Sequence, residues 1–182
     1  MAKQNKSEFL TKLTPESISS DLQWFQASGS IKELPKVLNL LHQFQNDEVE
    51  QKIIEIVSDI KVKTANAIIL EAIGEAYHKG GNLRALVQIA WESRLDFTQN
   101  LALFTDIFID KDYITALEAF TLIENIWMDY QFSDEHRNLL IGRLKSNLDQ
   151  MDKDKSSLCI ELIHILEQDA EDEMWDGEVL ES

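Results

Sequence analysis

The 182-residue chain carries 33 Asp and Glu against 17 Lys and Arg, with one Cys, six Gly and two Pro, for a formal charge of −16. That balance excludes a phosphate-backbone or anionic-membrane surface, where cations have to dominate, and the single Cys excludes a disulfide framework and a Cys-rich zinc site. Apolar residues make up 44%, no apolar run approaches the roughly 20 residues of a membrane span, and no apolar signal region follows Met1 to Lys6, so the expectation is a soluble cytoplasmic protein with a real core and with no nucleic-acid or membrane partner.

Apolar residues recur at three- and four-residue spacing almost everywhere, the period of helices packed on one side, and strand-like alternation is absent. The class predicted is all-α. Residues 7–28 read as one or two capping helices, the second opened by Thr14-Pro15-Glu16 and striped by Ile18, Leu22 and Phe25, with Trp24 beside the stripe. Turn or N-cap chemistry then recurs at Ser28-Gly29-Ser30, Gln45-Asn46-Asp47, Lys79-Gly80-Gly81-Asn82, Asp110-Lys111-Asp112, Ser133-Asp134 and Asp152-Lys153-Asp154. These divide the chain into about nine helices of roughly 11–20 residues.

The helices repeat. Ile53, Ile54, Ile56, Val57 and Ile60 form a template that a step of 33 carries onto Leu86, Val87, Ile89, Ala90 and Ser93. A second step of 33 reaches Ala119, Phe120, Leu122, Ile123 and Ile126, and a longer one reaches Cys159, Ile160, Leu162, Ile163 and Leu166. Nineteen of the twenty positions are apolar, Ser93 being the exception. The preceding helices follow more loosely, through Val37, Leu38, Leu40, Leu41 and Phe44, then Ile69, Leu70, Ala72, Ile73 and Ala76, then Phe104, Ile107 and Phe108, then Leu140, Leu144 and Leu148. Each unit is a helix, a turn and a second helix, with an apolar face that stacking buries. Four units span about 30–61, 64–94, 97–131 and 133–168 after an N-terminal cap over 1–29, all in a single domain.

Leu34-Pro35 with Val37-Leu38 and Leu40-Leu41, then Asn46-Asp47-Glu48-Val49, then Lys52-Ile53-Ile54, Ile56-Val57 and Ile60 resembles a HEAT or armadillo repeat. Asp112-Tyr113-Ile114 is a weaker second copy of the turn. The match departs from the pattern at Glu50, where the family usually has a basic residue, in having the Pro once, and in using Gly80-Gly81 for the Asp turn. The resemblance covers about 30–168 and implies a right-handed α-α superhelix whose members mostly bind other macromolecules without catalysis. Some HEAT-like proteins are DNA glycosylases, but this chain has the wrong charge for that role.

No catalytic residue, cofactor site or metal site is expected. His42, His78, His136 and His164 fall in four different helices, and no two are one turn apart. Cys159 sits on an apolar face with no cation at its flanks. Asp152 to Ser156 has the opening rhythm of a calcium loop but lacks its Gly and its closing acid, which marks it as a helix–helix turn. With the template facing the core, a polar ladder runs along the second helices through Glu55, Asp59, Gln88, Glu92, Asn125 and Glu161. It reads as a solvated face or as a surface for a basic protein. Trp91 and Trp127 lie near helix ends, where core packing competes with a role as exposed anchors.

Eight of the acids and no Lys or Arg fall in 167–182, which leaves −8 for the rest. This predicts a mobile acidic tail over 169–182, either folded back or docking a basic partner through Trp175. The functional expectation is a non-catalytic adaptor for a basic protein, with an acidic immunity or inhibitor protein for a basic enzyme as the alternative.

Overall fold

The structure, a computed structural model, describes residues 9–11, 14–43 and 46–175, the side chains of 15 and 169–175 excepted. Among these the protein is all-α. Nine helices are present: α1 (Pro15–Ser28), α2 (Leu34–Gln43), α3 (Asp47–Ser58), α4 (Ala65–Lys79), α5 (Leu83–Ser93), α6 (Leu101–Asp110), α7 (Tyr113–Asp129), α8 (Asp134–Asn147) and α9 (Lys153–Trp175). The chain forms two compact units, 1–96 and 97–182, whose boundary falls between the second and third expected repeats.

The helix starts sit where polar residues offer the first turn an acceptor. Asn46 accepts from the Val49 N–H at 3.0 Å, Asn82 from Ala85 at 3.2 Å, Ser133 from His136 at 3.3 Å and Asp152 from Lys155 at 3.0 Å. Each satisfies one of the amides a helix leaves unpaired at its start. Thr14 and Ser17 close a capping box around Pro15, which stands at the first helical position.

In the first unit α2 packs on α3 and α4, α3 on α1 and α5, and α4 on α5. The cap consists of α1, whose Ile18, Leu22 and Phe25 are buried, and a turn at Phe9-Leu10. Phe9 is buried against Trp24 and Phe25, with ring centroids at 5.0 and 6.1 Å. Leu10 has φ 55, an unfavourable value for a branched residue, and its N–H is held by Asp21 Oδ2 at 2.9 Å.

In the second unit α6 packs on α7 and α8, and α9 on α7 and α8. Lys155, buried on α9, donates to the carbonyls of Ile109 and Lys111 at 2.6 and 2.7 Å, where α6 ends. A cation is favourable there because the last carbonyls of a helix carry its negative dipole end. Lys61 does the same in the first unit, reaching Ser58 O and Ser93 O, both at 2.9 Å, at the ends of α3 and α5.

The template residues form the two cores. Of the twenty positions, Ile60 is half-buried and Ile160 is exposed, and the other eighteen are buried. Ser93 is fully buried because its hydroxyl donates to Ala90 O at 2.9 Å, which removes the cost of its polarity. Ile160, on α9, is 48% exposed among the described residues. In the first helices of the hairpins, Val37, Leu38, Leu40, Leu41, Ile69, Ile73, Ala76, Phe104, Ile107, Phe108, Leu140 and Leu144 are buried. Leu70, Ala72 and Leu148 are half-buried, and Phe44 lies outside the described residues. The expected boundary at Gln168 falls inside α9, whose backbone stays helical to Trp175.

Two outcomes follow for stability. Replacing Lys155 by Met removes two charge-assisted hydrogen bonds from a buried site and is expected to cost about 2–4 kcal/mol in denaturant unfolding. Lys61→Met acts at an exposed site and is expected to cost under about 1 kcal/mol.

Asp112 opens α7. Burial alone would raise its carboxyl, but hydrogen bonds from the Thr115 N–H and hydroxyl and from the Ile114 N–H outweigh it and hold the group below its ordinary value. A lowered folded-state value means a contribution that is present above the unfolded carboxylate value and lost as the pH falls through the folded one. Asp112→Ala is expected to cost about 1 kcal/mol at neutral pH, with the gap from wild type closing below about pH 4 in acid unfolding.

Candidate functional site

With the template turned inward, each second helix presents an opposite face to solvent. On α3 that face holds Asp47, Glu48, Gln51, Glu55 and Asp59, all exposed. Glu55 and Asp59 make no ion pair or side-chain hydrogen bond among the described residues. On α5 the corresponding residues behave differently. Gln88 and Glu92 are half-buried and belong to a chain of polar contacts that joins α5 to α3.

That chain begins at Glu50. Its carboxylate takes hydrogen bonds from the Asn82 amide and the Arg84 guanidinium. Arg84 also donates to Gln88 Oε1 at 2.9 Å, Gln88 Nε2 to Glu92 Oε1 at 2.7 Å, and Ser58 Oγ to Glu92 Oε2 at 3.2 Å. Lys52 ties α3 to α1 through Ser19 Oγ at 3.0 Å. The links that cross between helices have sequence separations of 32, 33 and 34, one repeat length. The members that sequence reasoning missed are Ser58, Asn82 and Arg84, and the available signal was Glu50, an acid where the repeat pattern expects a base.

In the second unit Asn125 and Glu161 are exposed on α7 and α9. The ladder thus divides into free acids on α3, a structural network between α3 and α5, and a separate pair in the second unit. Trp91 is half-buried and engaged in interactions of its own. Trp127 is 2% exposed and stacks on Phe132 at 4.7 Å, so it belongs to the core. The Trp175 side chain lies outside the described residues, as do residues 176–182.

The titratable groups give no catalytic arrangement among the described residues. His42 Nδ1 accepts from the Asn82 N–H at 3.3 Å, under the Gly80-Gly81 turn. A Cβ built at Gly81, whose φ is +136, would stand 2.2 Å from that nitrogen, so the glycine is required there. His78 is exposed beside Tyr77, His136 is exposed beside Phe132, and His164 is exposed on α9. No group of His, Cys, Asp and Glu among the described residues is placed to hold a metal ion. Cys159 is fully buried, and burial pushes its thiol up to about 11, so it is no thiolate at neutral pH. Of the expected turn from Asp152 to Ser156, only Asp152 lies outside a helix: it accepts from the Lys155 N–H, and Lys153 to Ser156 already form the start of α9.

Two surface clefts of about 290 Å³ lie in the first unit. One, between α2 and α4, is lined by Pro35, Leu38, His42, Ile68, Glu71 and Glu75. The other, between α1 and α3, is lined by Glu16, Ser19, Leu22, Glu48, Val49 and Lys52. Among the described residues no helix is long and apolar enough to cross a membrane. Comparison with protein-family models, curated proteins and solved structures gives no match for this chain.

The division of the ladder has a measurable consequence. Glu50→Ala leaves part-buried Asn82 and Arg84 groups without their acceptor and is expected to cost about 1–3 kcal/mol in equilibrium unfolding. Glu55→Ala and Asp59→Ala, on the exposed face, are expected to stay within about 0.5 kcal/mol of wild type.

Proposed function

We propose that this chain is a non-catalytic protein-binding module of the HEAT or armadillo kind, which presents acidic outer faces of its second helices to a basic protein. The observation that carries the reading is the outer face of α3. Asp47, Glu48, Glu55 and Asp59 lie exposed along a helix whose one cation, Lys52, is turned to Ser19. Acids on stitched positions such as Glu50 and Glu92 are explained by stability, whereas Glu55 and Asp59 do nothing for the fold. A row of unpaired like charges on a rigid helix attracts a basic surface and speeds its approach.

The test is a triple charge reversal, Glu48→Lys with Glu55→Lys and Asp59→Lys, compared with wild type in capture from native lysate at low and high salt. Wild type is expected to hold basic proteins at low salt and release them at high salt, and the variant to lose them while its circular dichroism is unchanged. Equal retention by both proteins at low salt would remove the α3 face from the reading.

A further inference from the structure

The second unit carries a surface that the acidic reading alone leaves unexplained. The outer face of α7 runs through Ile114, Leu117, Thr121, Glu124 and Met128, at spacings of three and four residues. Ile114 is 51% exposed, Leu117 38% and Met128 71%. The Thr121 hydroxyl donates to Leu117 O at 3.1 Å, so its polarity is met within the helix. Single exposed apolar residues are ordinary, but three on one face of one helix form a stripe.

The step of 40 that carries Ala119 onto Cys159 carries this stripe onto Asp154, Ser157, Glu161, His164 and Gln168, all exposed on α9. Helices α7 and α9 pack together. An apolar row therefore runs beside a polar, acidic one, one helix spacing away, about 8–10 Å. The α7 sequence has three acids, Glu118, Glu124 and Asp129, and no Lys, Arg or His.

We propose that this double row docks an amphipathic helix of a basic protein, its apolar face on Ile114, Leu117 and Met128 and its Lys or Arg flank over Asp154 and Glu161. The proposal rests on the reading of the chain as a binder of basic proteins and adds the surface and the form of the partner. Charge selects the occupant. A second copy of the chain would set Glu124, Asp154 and Glu161 against acids of its own kind, at −16 per chain. Residues 176–182 of the same chain bring Asp176, Glu178 and Glu181 and no cation. A helix with apolar residues at three- and four-residue spacing and cations on its flank matches both rows at once.

The probe is a synthetic helical peptide with Leu along one face and Lys along its flanks, titrated calorimetrically and by amide chemical shifts into the full chain. The controls are a scrambled peptide of the same composition and sedimentation of the chain alone. The Leu–Lys helix is expected to bind more tightly than the scrambled peptide, with shifts centred on α7 and α9. The triple substitution Ile114→Gln, Leu117→Gln and Met128→Gln is expected to weaken it on the order of tenfold or more. Asp154→Lys with Glu161→Lys is expected to weaken it and to flatten its salt dependence. These positions are exposed, so unchanged circular dichroism is expected for each variant. Equal binding of both peptides, or shifts confined to α3, would overturn the double row while leaving the acidic reading standing. Binding of neither peptide would overturn both. Self-association of wild type that the triple Gln substitution abolishes would assign the stripe to a second copy and overturn the proposal.

Discussion

The apolar face of each second helix is wider than one neighbour can cover, and the rest of the structure follows from that. In α3 it takes both α1 and α5 to bury Ile53, Ile54, Ile56 and Val57, and in α7 it takes α6 and α9 to bury Ala119, Phe120, Leu122 and Ile123. Full burial of such a side chain contributes about 1.5–3 kcal/mol, so a hairpin alone would forfeit much of what holds it. The requirement for neighbours also leaves each second helix an outer face, solvated on α3 at Glu55 and Asp59 and tied into the stack on α5 at Gln88 and Glu92.

Apolar stripes alone leave the register of stacked helices loosely set, and polar links fix it. The Glu50 carboxylate reaches one repeat forward to Asn82 and Arg84, and Asn82 in turn starts α5 and donates its N–H to His42 on α2. A slip of α5 along α3 by one turn, about 5.4 Å, would break every one of these contacts at once. Lys155 pins α9 to the end of α6 in the second unit through the carbonyls of Ile109 and Lys111. These groups cost desolvation, and their return is a single alignment of the apolar faces.

What the sequence made legible follows the physics of periodicity. Helix starts at Asn46, Asn82, Asp112, Ser133 and Asp152 were readable because capping is local, and the step of 33 was readable because burial imposes the same face on each second helix. The network at Glu50 was not, because its partners lie 32 and 34 residues away and only stacking brings them together. Gln88 and Glu92 were grouped with Glu55 and Asp59 for the same reason. Spacing shows which face a residue is on, but not whether a residue from the next helix comes up to meet it. Trp127 was ambiguous in sequence because a Trp near a helix end suits both a core and an anchor, and the stacking with Phe132 decides it. The stripe on α7 was hidden by the opposite error. Asn125 belongs to the polar ladder read from the sequence, whereas Ile114, Leu117 and Met128 follow no repeat position and carry no signal of exposure in a helix rich in apolar residues.

The charge of the chain and the stripe on α7 make sense together. An exposed apolar row on a rigid helix invites a second copy to cover it, and a chain near neutrality would have little to oppose that contact. At −16, with acids beside the row on α9 and within it at Glu124, the proposed docking would have copies repel one another while a cationic partner is drawn to the same place. The acids would then act against the wrong contact as well as for the right one, which is how discrimination between partners is usually built. Under that proposal, removing charge without touching Ile114, Leu117 or Met128 would relax both effects together, because the same acids would oppose self-association and select the partner.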